Sequence, residues 1–198
     1  MTNGDSTSEM DDAVLLTRAR KGDERAFSAL FERHERRIFR YAAYMCGPQA
    51  GDDVVQVTFL AVLRQSSRHD APRTTVAAYL LGIARHVVMK RSVPSPEISF
   101  ADPPEPDGED AATEDITPLE ALSKAETVAT VREAVEALPA PYREVMVLCE
   151  LQELDYEGAA AAIECPVGTV RSRLHRARRL LATKLKALMP VGAEGSSR

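Results

Sequence analysis

Residues 92–119 hold six of the chain's twelve prolines, and the stretch from Ser92 to Glu120 carries nine acidic residues with no Lys or Arg. A segment of that composition can bury little apolar surface, so it is expected to be a flexible acidic linker. It divides the 198 residues into two parts, each long enough for one small domain. Residues 11–91 and 120–189 are both helix-periodic, and the tail from Pro190 to Arg198 is expected to be disordered. An all-α fold of two small helical domains follows, with no segment that requires a β-sheet.

The formal net charge of −5 argues at first against a polyanionic partner, but its distribution reverses the impression. Without the linker acids the remaining chain is +4, and residues 10–91 alone carry fourteen Lys/Arg against nine Asp/Glu. Screening limits each charged patch to a reach of roughly 8 Å, so local charge is the relevant quantity.

Several function classes recede. Cys46, Cys149 and Cys165 are far apart, form no CxxC and read as buried thiols. His34 and His69 have no partners at metal spacing, so no metal and no cofactor are expected. No nucleophile elbow, phosphate-cradling glycine loop or zinc spacing is present, which argues against an enzyme. The acidic, polar start Met1–Asp12 is no signal peptide. The apolar run Val76–Ala84 is far short of the ~20 residues of a membrane helix. A soluble cytoplasmic protein without membrane insertion is expected.

In the first part, Asp23 has capping chemistry ahead of Ala26, Phe27, Leu30 and Phe31, and Ile38, Tyr41, Ala42 and Met45 continue that period until Gly47-Pro48. Asp52-Asp53 opens a further helix, and another runs from about Thr75 to Arg91. Phe27, Phe31, Phe39 and Phe59 are read as core. In the second part, Pro141 marks a helix start; Val145–Cys149 has strand propensity, but its flanks favour helix. Asp155 is placed to cap a short helix, Tyr156 to Ile163, followed by the turn Glu164-Cys165-Pro166. Beyond it Val167, Val170, Leu174, Ala177 and Leu181 step by three and four, drawing one apolar stripe. The other face carries Gly168, Ser172, His175, Arg176 and Arg179, flanked by Arg171, Arg173 and Arg178. A solvated basic face would look the same, but a recognition helix in the major groove needs this division. There Arg176 and Arg171 are suited to guanine, and Arg173, Arg178 and Arg179 to phosphates.

With those residues laid out, a family resemblance is apparent. Leu138-Pro139, Tyr142-Arg143-Glu144-Val145, Leu154-Asp155-Tyr156-Glu157 and the run Cys165–Arg178 resemble region 4 of the extracytoplasmic-function (ECF) sigma factors. Gly22–Phe27, Asp53–Gln56 with Thr58-Phe59-Leu60, and Tyr79-Leu80 with Gly82–His86 resemble the family's region 2. The resemblance implies a promoter reader for RNA polymerase core. Region 2 (residues 11–91) would dock through Asp53, Val54, Gln56, Thr58 and Leu60 on the clamp helices of the largest subunit. It would meet the −10 element through Arg68, His69, Arg73, Tyr79, Arg85, His86 and Lys90. Region 4 (residues 120–189) would meet the −35 element through Arg171, Ser172, Arg173, His175, Arg176, Arg178 and Arg179. The flap of the second-largest subunit and an anti-sigma protein are further implied partners. The chain departs from the family pattern at Val57, Tyr79, His86, Gly158 and Glu164. A conventional operator-binding dimer is the rival reading, separable by whether the protein binds DNA without polymerase.

Overall fold

A computed structural model of the chain describes residues 10–64, 74–91 and 124–188. The expected linker, the loop Ser66–Arg73 and the tail from Pro190 lie outside them. Among the described residues every regular element is helical. The first four helices are α1 (Asp12–Arg20), α2 (Glu24–Cys46), α3 (Gly51–Arg64) and α4 (Val76–Arg91). The second set is α5 (Lys124–Glu136), α6 (Ala140–Met146), α7 (Tyr156–Ile163) and α8 (Val167–Leu188).

Capping chemistry sets most of the boundaries. Asp11 accepts from the Ala13 amide at the head of α1, a helix that the sequence reading did not single out. Asp23 accepts from the Ala26 amide at 3.1 Å, as its position before the apolar period implied. The hinge between α1 and α2 falls on Gly22, whose φ of 88° suits a residue without a Cβ. Gly47, at φ 89°, ends α2 after 23 residues. Thr75 Oγ1 accepts from the Ala78 amide and caps α4 one residue later than the periodicity suggested. No described helix is long and apolar enough to cross a membrane.

α1 to α4 pack around Leu15, Leu30, Ile38, Val54, Phe59, Val62, Leu80 and Leu81. α5 to α8 pack around Val135, Leu138, Val145, Leu148, Val170, Leu174 and Ala177. Each fully buried aliphatic side chain is worth roughly 1.5–3 kcal/mol relative to exposure. The two sets are not held apart: α4 lies on α7, and α2 touches α5 and α6, so the buried apolar contacts run continuously through both.

The stretch Val147–Leu151, where strand and helix propensities compete, continues α6 as one turn of π-helix. The Gln152 amide reaches back five residues to the Val147 carbonyl at 2.9 Å. The widened turn leaves the Leu151 carbonyl to accept from Arg40 of α2 at 3.0 Å. Three of the four phenylalanines read as core are only half-buried, and Phe59 alone is enclosed. Phe27 meets Phe59 edge-on and Phe31 meets it at a tilt, at 5.8 and 4.8 Å between centroids, on the wall of an open groove between α2 and α3.

Candidate nucleic-acid and polymerase interfaces

The helix-turn-helix forms as its residues dictate. Asp155 Oδ1 accepts from the Gly158 amide at 2.7 Å, fixing the start of α7. The turn that follows needs one left-handed residue, and Glu164 supplies it at φ 55° and ψ 48°. α8 then buries Val170, Leu174 and Ala177, with Val167 and Leu181 half-covered at the ends of the same stripe.

On the opposite face Arg171, Ser172, His175 and Arg178 are exposed, while Arg173, Arg176 and Arg179 are half-buried. The Arg171 guanidinium lies 5.5 Å over the Tyr156 ring, which preorganises it beside the start of α7. Ser172 Oγ donates to the Thr169 carbonyl within its own helix. Arg178 donates to the Glu150 carboxylate, its Nε at 3.1 Å. Both partners of that pair are largely exposed, so it contributes about 0–1 kcal/mol.

The residues expected on the −10 side are differently placed. Tyr79 is half-buried, with its hydroxyl accepting from Arg20 at 2.7 Å and the same guanidinium 5.3 Å over its ring. His86 is exposed, its Nδ1 2.9 Å from the Gly82 carbonyl and its Nε2 3.8 Å from Glu164. Lys90 is exposed. Arg85, expected on the backbone path, instead turns into the seam between the helix sets, where its Nε donates to Glu144 Oε1 at 3.0 Å. Its side chain is only 12% exposed. Arg68, His69 and Arg73 lie outside the described residues.

Two residues of the strip expected to face polymerase are placed otherwise. Val54 and Thr58 are fully buried, because their spacing sets them on the inward stripe of α3 with Phe59 and Val62. They support the strip from behind. Asp53, Gln56 and Leu60 are exposed, and the neighbours Val57 and Leu63 extend the apolar surface, Leu63 being a residue that the sequence reading did not include. Asp53 pairs with Arg91 of α4 at 2.6 Å. Leu60 and Leu63 stand on the lip of the phenylalanine-walled groove, about 870 Å³ in volume, whose rim carries Arg36, Arg40 and Arg132.

Glu144 and Tyr41 were missed. Glu144 is 0% exposed and receives the Tyr41 hydroxyl at 2.8 Å on the oxygen that also binds Arg85. Burial drives its carboxyl above the ordinary value, against the pull of the Arg85 charge. Burial, then the Glu144 charge, likewise raises the Tyr41 phenol. One sequence signal was available: Pro141, Val145 and Leu148 draw an apolar stripe on which Glu144 is the lone acid. Among the described residues no group of His, Cys, Asp and Glu is arranged to hold a metal ion.

Known proteins match both halves. The family model for sigma-70 region 2 matches residues 30–92, and that for sigma-70 region 4 matches residues 129–181. The RNA polymerase sigma-H factor of Pseudomonas aeruginosa is 32% identical over 189 residues, spanning 91% of this chain and 95% of the relative. The ECF RNA polymerase sigma-E factor of Escherichia coli is 31% identical over 186 residues, spanning 91% and 97%. Among solved structures, CnrH in complex with the cytosolic domain of CnrY superposes with a TM-score of 0.64 at 25% identity, covering 89% of this chain and 97% of that one. The sigma factor RpoE in complex with the anti-sigma factor NepR from Bartonella quintana gives 0.53 at 25% identity, covering 75% and 89%.

Proposed function

The chain belongs to the sigma-70 family, in its extracytoplasmic-function branch, and on that premise we propose how its own residues direct RNA polymerase core to specific promoters and assist strand opening. The observation that carries the reading is the pairing of two surfaces in one chain. A helix-turn-helix presents a basic face on α8, and α3 presents an apolar strip beside a groove large enough for a partner's side chains.

Region 4 reads duplex DNA through α8, with Arg171 and Arg176 on base edges and Arg173, Arg178 and Arg179 on phosphates. Ser172 and His175 complete that face. Region 2 reads the opened strand through α4, where Tyr79, Arg85, His86 and Lys90 supply stacking and charge, together with Arg68, His69 and Arg73 ahead of it. Asp53, Gln56, Val57, Leu60 and Leu63 meet the clamp helices of the polymerase largest subunit, and region 4 meets the flap of the second-largest. Core supplies the chemistry, so the chain needs no catalytic group of its own and works in the cytoplasm, where the polymerase is. The regions span residues 11–91 and 120–189, with the acidic segment 92–119 as tether. An anti-sigma protein is a further partner, as the solved complexes of similar chains support.

The test is transcription from a promoter pool by core polymerase with and without the protein. Transcripts from a defined promoter subset only when the protein is added are expected, and an unchanged transcript profile would overturn the reading.

A further inference from the structure

Helix α1 ends against α4, the helix read as facing the opened strand. Its last residue, Arg20, meets Tyr79 twice with one guanidinium. Nη2 donates to the phenol oxygen at 2.7 Å, and Cζ lies 5.3 Å from the ring centroid, across 59 residues of sequence. A hydrogen bond at the tip of the ring and a charge over its face leave the side chain little freedom, since tyrosine has only two side-chain torsions.

Packing alone does not ask for this arrangement. Ala78, Leu80 and Leu81, the chain neighbours of Tyr79, are fully buried among apolar groups. Tyr79 and Arg20 instead stand half-buried at the edge of that core. There Arg20 gives up part of its hydration and much of its rotamer freedom, costs that an arginine in open solvent avoids. What the pair gains is chemistry for a single strand. Unpaired bases stack on aromatic side chains, while a guanidinium supports the stack and draws the phosphate backbone. Ordering ring and cation beforehand removes that cost from the binding step.

We propose that Arg20 is a positioning residue of the strand-reading site. It holds the Tyr79 ring in the pose in which an unpaired base stacks on the part of the ring left exposed, and it brings a positive charge from α1 to the backbone of that strand. This role rests on the reading of α4 as the strand-facing helix and adds α1 to its site. Tyr79 touches the base; Arg20 acts through Tyr79 and through its charge.

The test uses core polymerase reconstituted with the full-length chain, and a promoter heteroduplex left unpaired over the −10 element. An abasic site is stepped through each unpaired strand, and binding is measured over a range of salt. One abasic position should weaken the wild type about 5- to 150-fold, the size of a lost base–aromatic stack. Tyr79→Ala should be weakened by a similar factor with every base present, and should ignore that abasic site. Arg20→Gln should bind the intact heteroduplex about 2- to 30-fold more weakly, with a smaller abasic penalty. Its slope of log affinity against log salt should be shallower by about 1. Arg20→Lys keeps the charge without the planar fork, so it should recover the salt slope but not the abasic penalty. Tyr79→Phe removes only the hydroxyl that Arg20 holds, and should shrink the abasic penalty at an unchanged salt slope. Circular dichroism melts check the fold of each variant. An arginine of purely structural use would lower the melting temperature and leave the abasic penalty alone. A wild-type penalty in folded Arg20→Gln, or in Tyr79→Phe should Arg20→Gln not fold, would overturn the positioning role. If Tyr79→Ala had meanwhile lost the penalty, α4 would remain the strand-facing helix without Arg20. A Tyr79→Ala protein with full affinity and full penalty would overturn both.

Discussion

Glu164 is a side chain where the turn between α7 and α8 asks for glycine, at φ 55° and ψ 48°. A left-handed residue with a Cβ costs roughly 1 kcal/mol, less what glycine gives back in unfolded-state entropy. Glu164→Gly is therefore expected to stabilise the fold by several tenths to about 1 kcal/mol in urea titration. Two arginines of α8 should part company in a promoter-binding series. Arg176→Ala should cost about 1–3 kcal/mol and relax preference at one base of the −35 element, while Arg179→Ala weakens all promoters alike. Uniform losses from both would move Arg176 from bases to phosphates. His34 is nearly buried, 2.8 Å from Asp12 of α1. Desolvation, against the Asp12 charge, holds its pKa below the ordinary 6.5. As pH falls through 6.5 the unfolded chain takes up a proton that the native ring refuses, so acidification removes stability. Between about pH 7.5 and about 5.5 the wild-type Tm should fall more steeply than that of His34→Gln; parallel slopes would count against it.

At the level of elements, close backbone approach recurs where glycine stands. Gly51, the first residue of α3, lies under the Phe39 ring: an added Cβ would sit 2.4 Å from Cε2. That contact sets how closely α3 meets α2, and hence the width of the groove between them. Gly51→Ala should destabilise by about 1–3 kcal/mol as Phe39 is displaced, measured as a lower urea midpoint at constant slope. Gly158 follows the same logic for a different purpose. On helix propensity alone it costs roughly 1 kcal/mol against other residues. In the fold a Cβ there would meet the capping oxygen of Asp155 at 2.7 Å and approach Ala78 of α4, so glycine serves both the cap of α7 and its docking. The π turn Val147–Leu151 likewise joins an element to a distant partner, by handing the Leu151 carbonyl to Arg40.

For the whole molecule, the arrangement of the two helix sets decides which surfaces a partner meets first. The apolar strip on α3 and the basic face of α8 stay outward, while the inner face of α4 is covered. The strip on α3 proposed to meet polymerase is thus accessible with the two helix sets packed together. Asp53→Arg places a cation at the edge of that strip and breaks an exposed pair with Arg91, worth about 0–1 kcal/mol. Circular dichroism should show an intact fold, and a pull-down should show lost or strongly weakened binding of core polymerase, since a misplaced charge at an interface costs several kcal/mol. Wild-type retention of core by the folded variant would take Asp53 out of the interface.

Local patterns in the chain were sufficient for a large part of this. The helices, the caps at Asp23 and Asp155, the turn at Glu164 and the apolar stripe of α8 all depend on residues within a turn or two of one another. Period and capping report such neighbours directly. The family resemblance put Val54 and Thr58 in an interface, and the same local patterns put Phe27, Phe31 and Phe39 in a core. Periodicity reveals that a face is apolar without revealing what covers it, or whether anything does. Only the tertiary structure turned Val54 and Thr58 inward and left those three rings along an open groove. It alone brought Tyr41 and Arg85 onto Glu144, across 103 and 59 residues of sequence. No local period carries a contact of that span; it follows from how whole helices pack, once the backbone at Gly82 and Gly158 lets α4 and α7 come close.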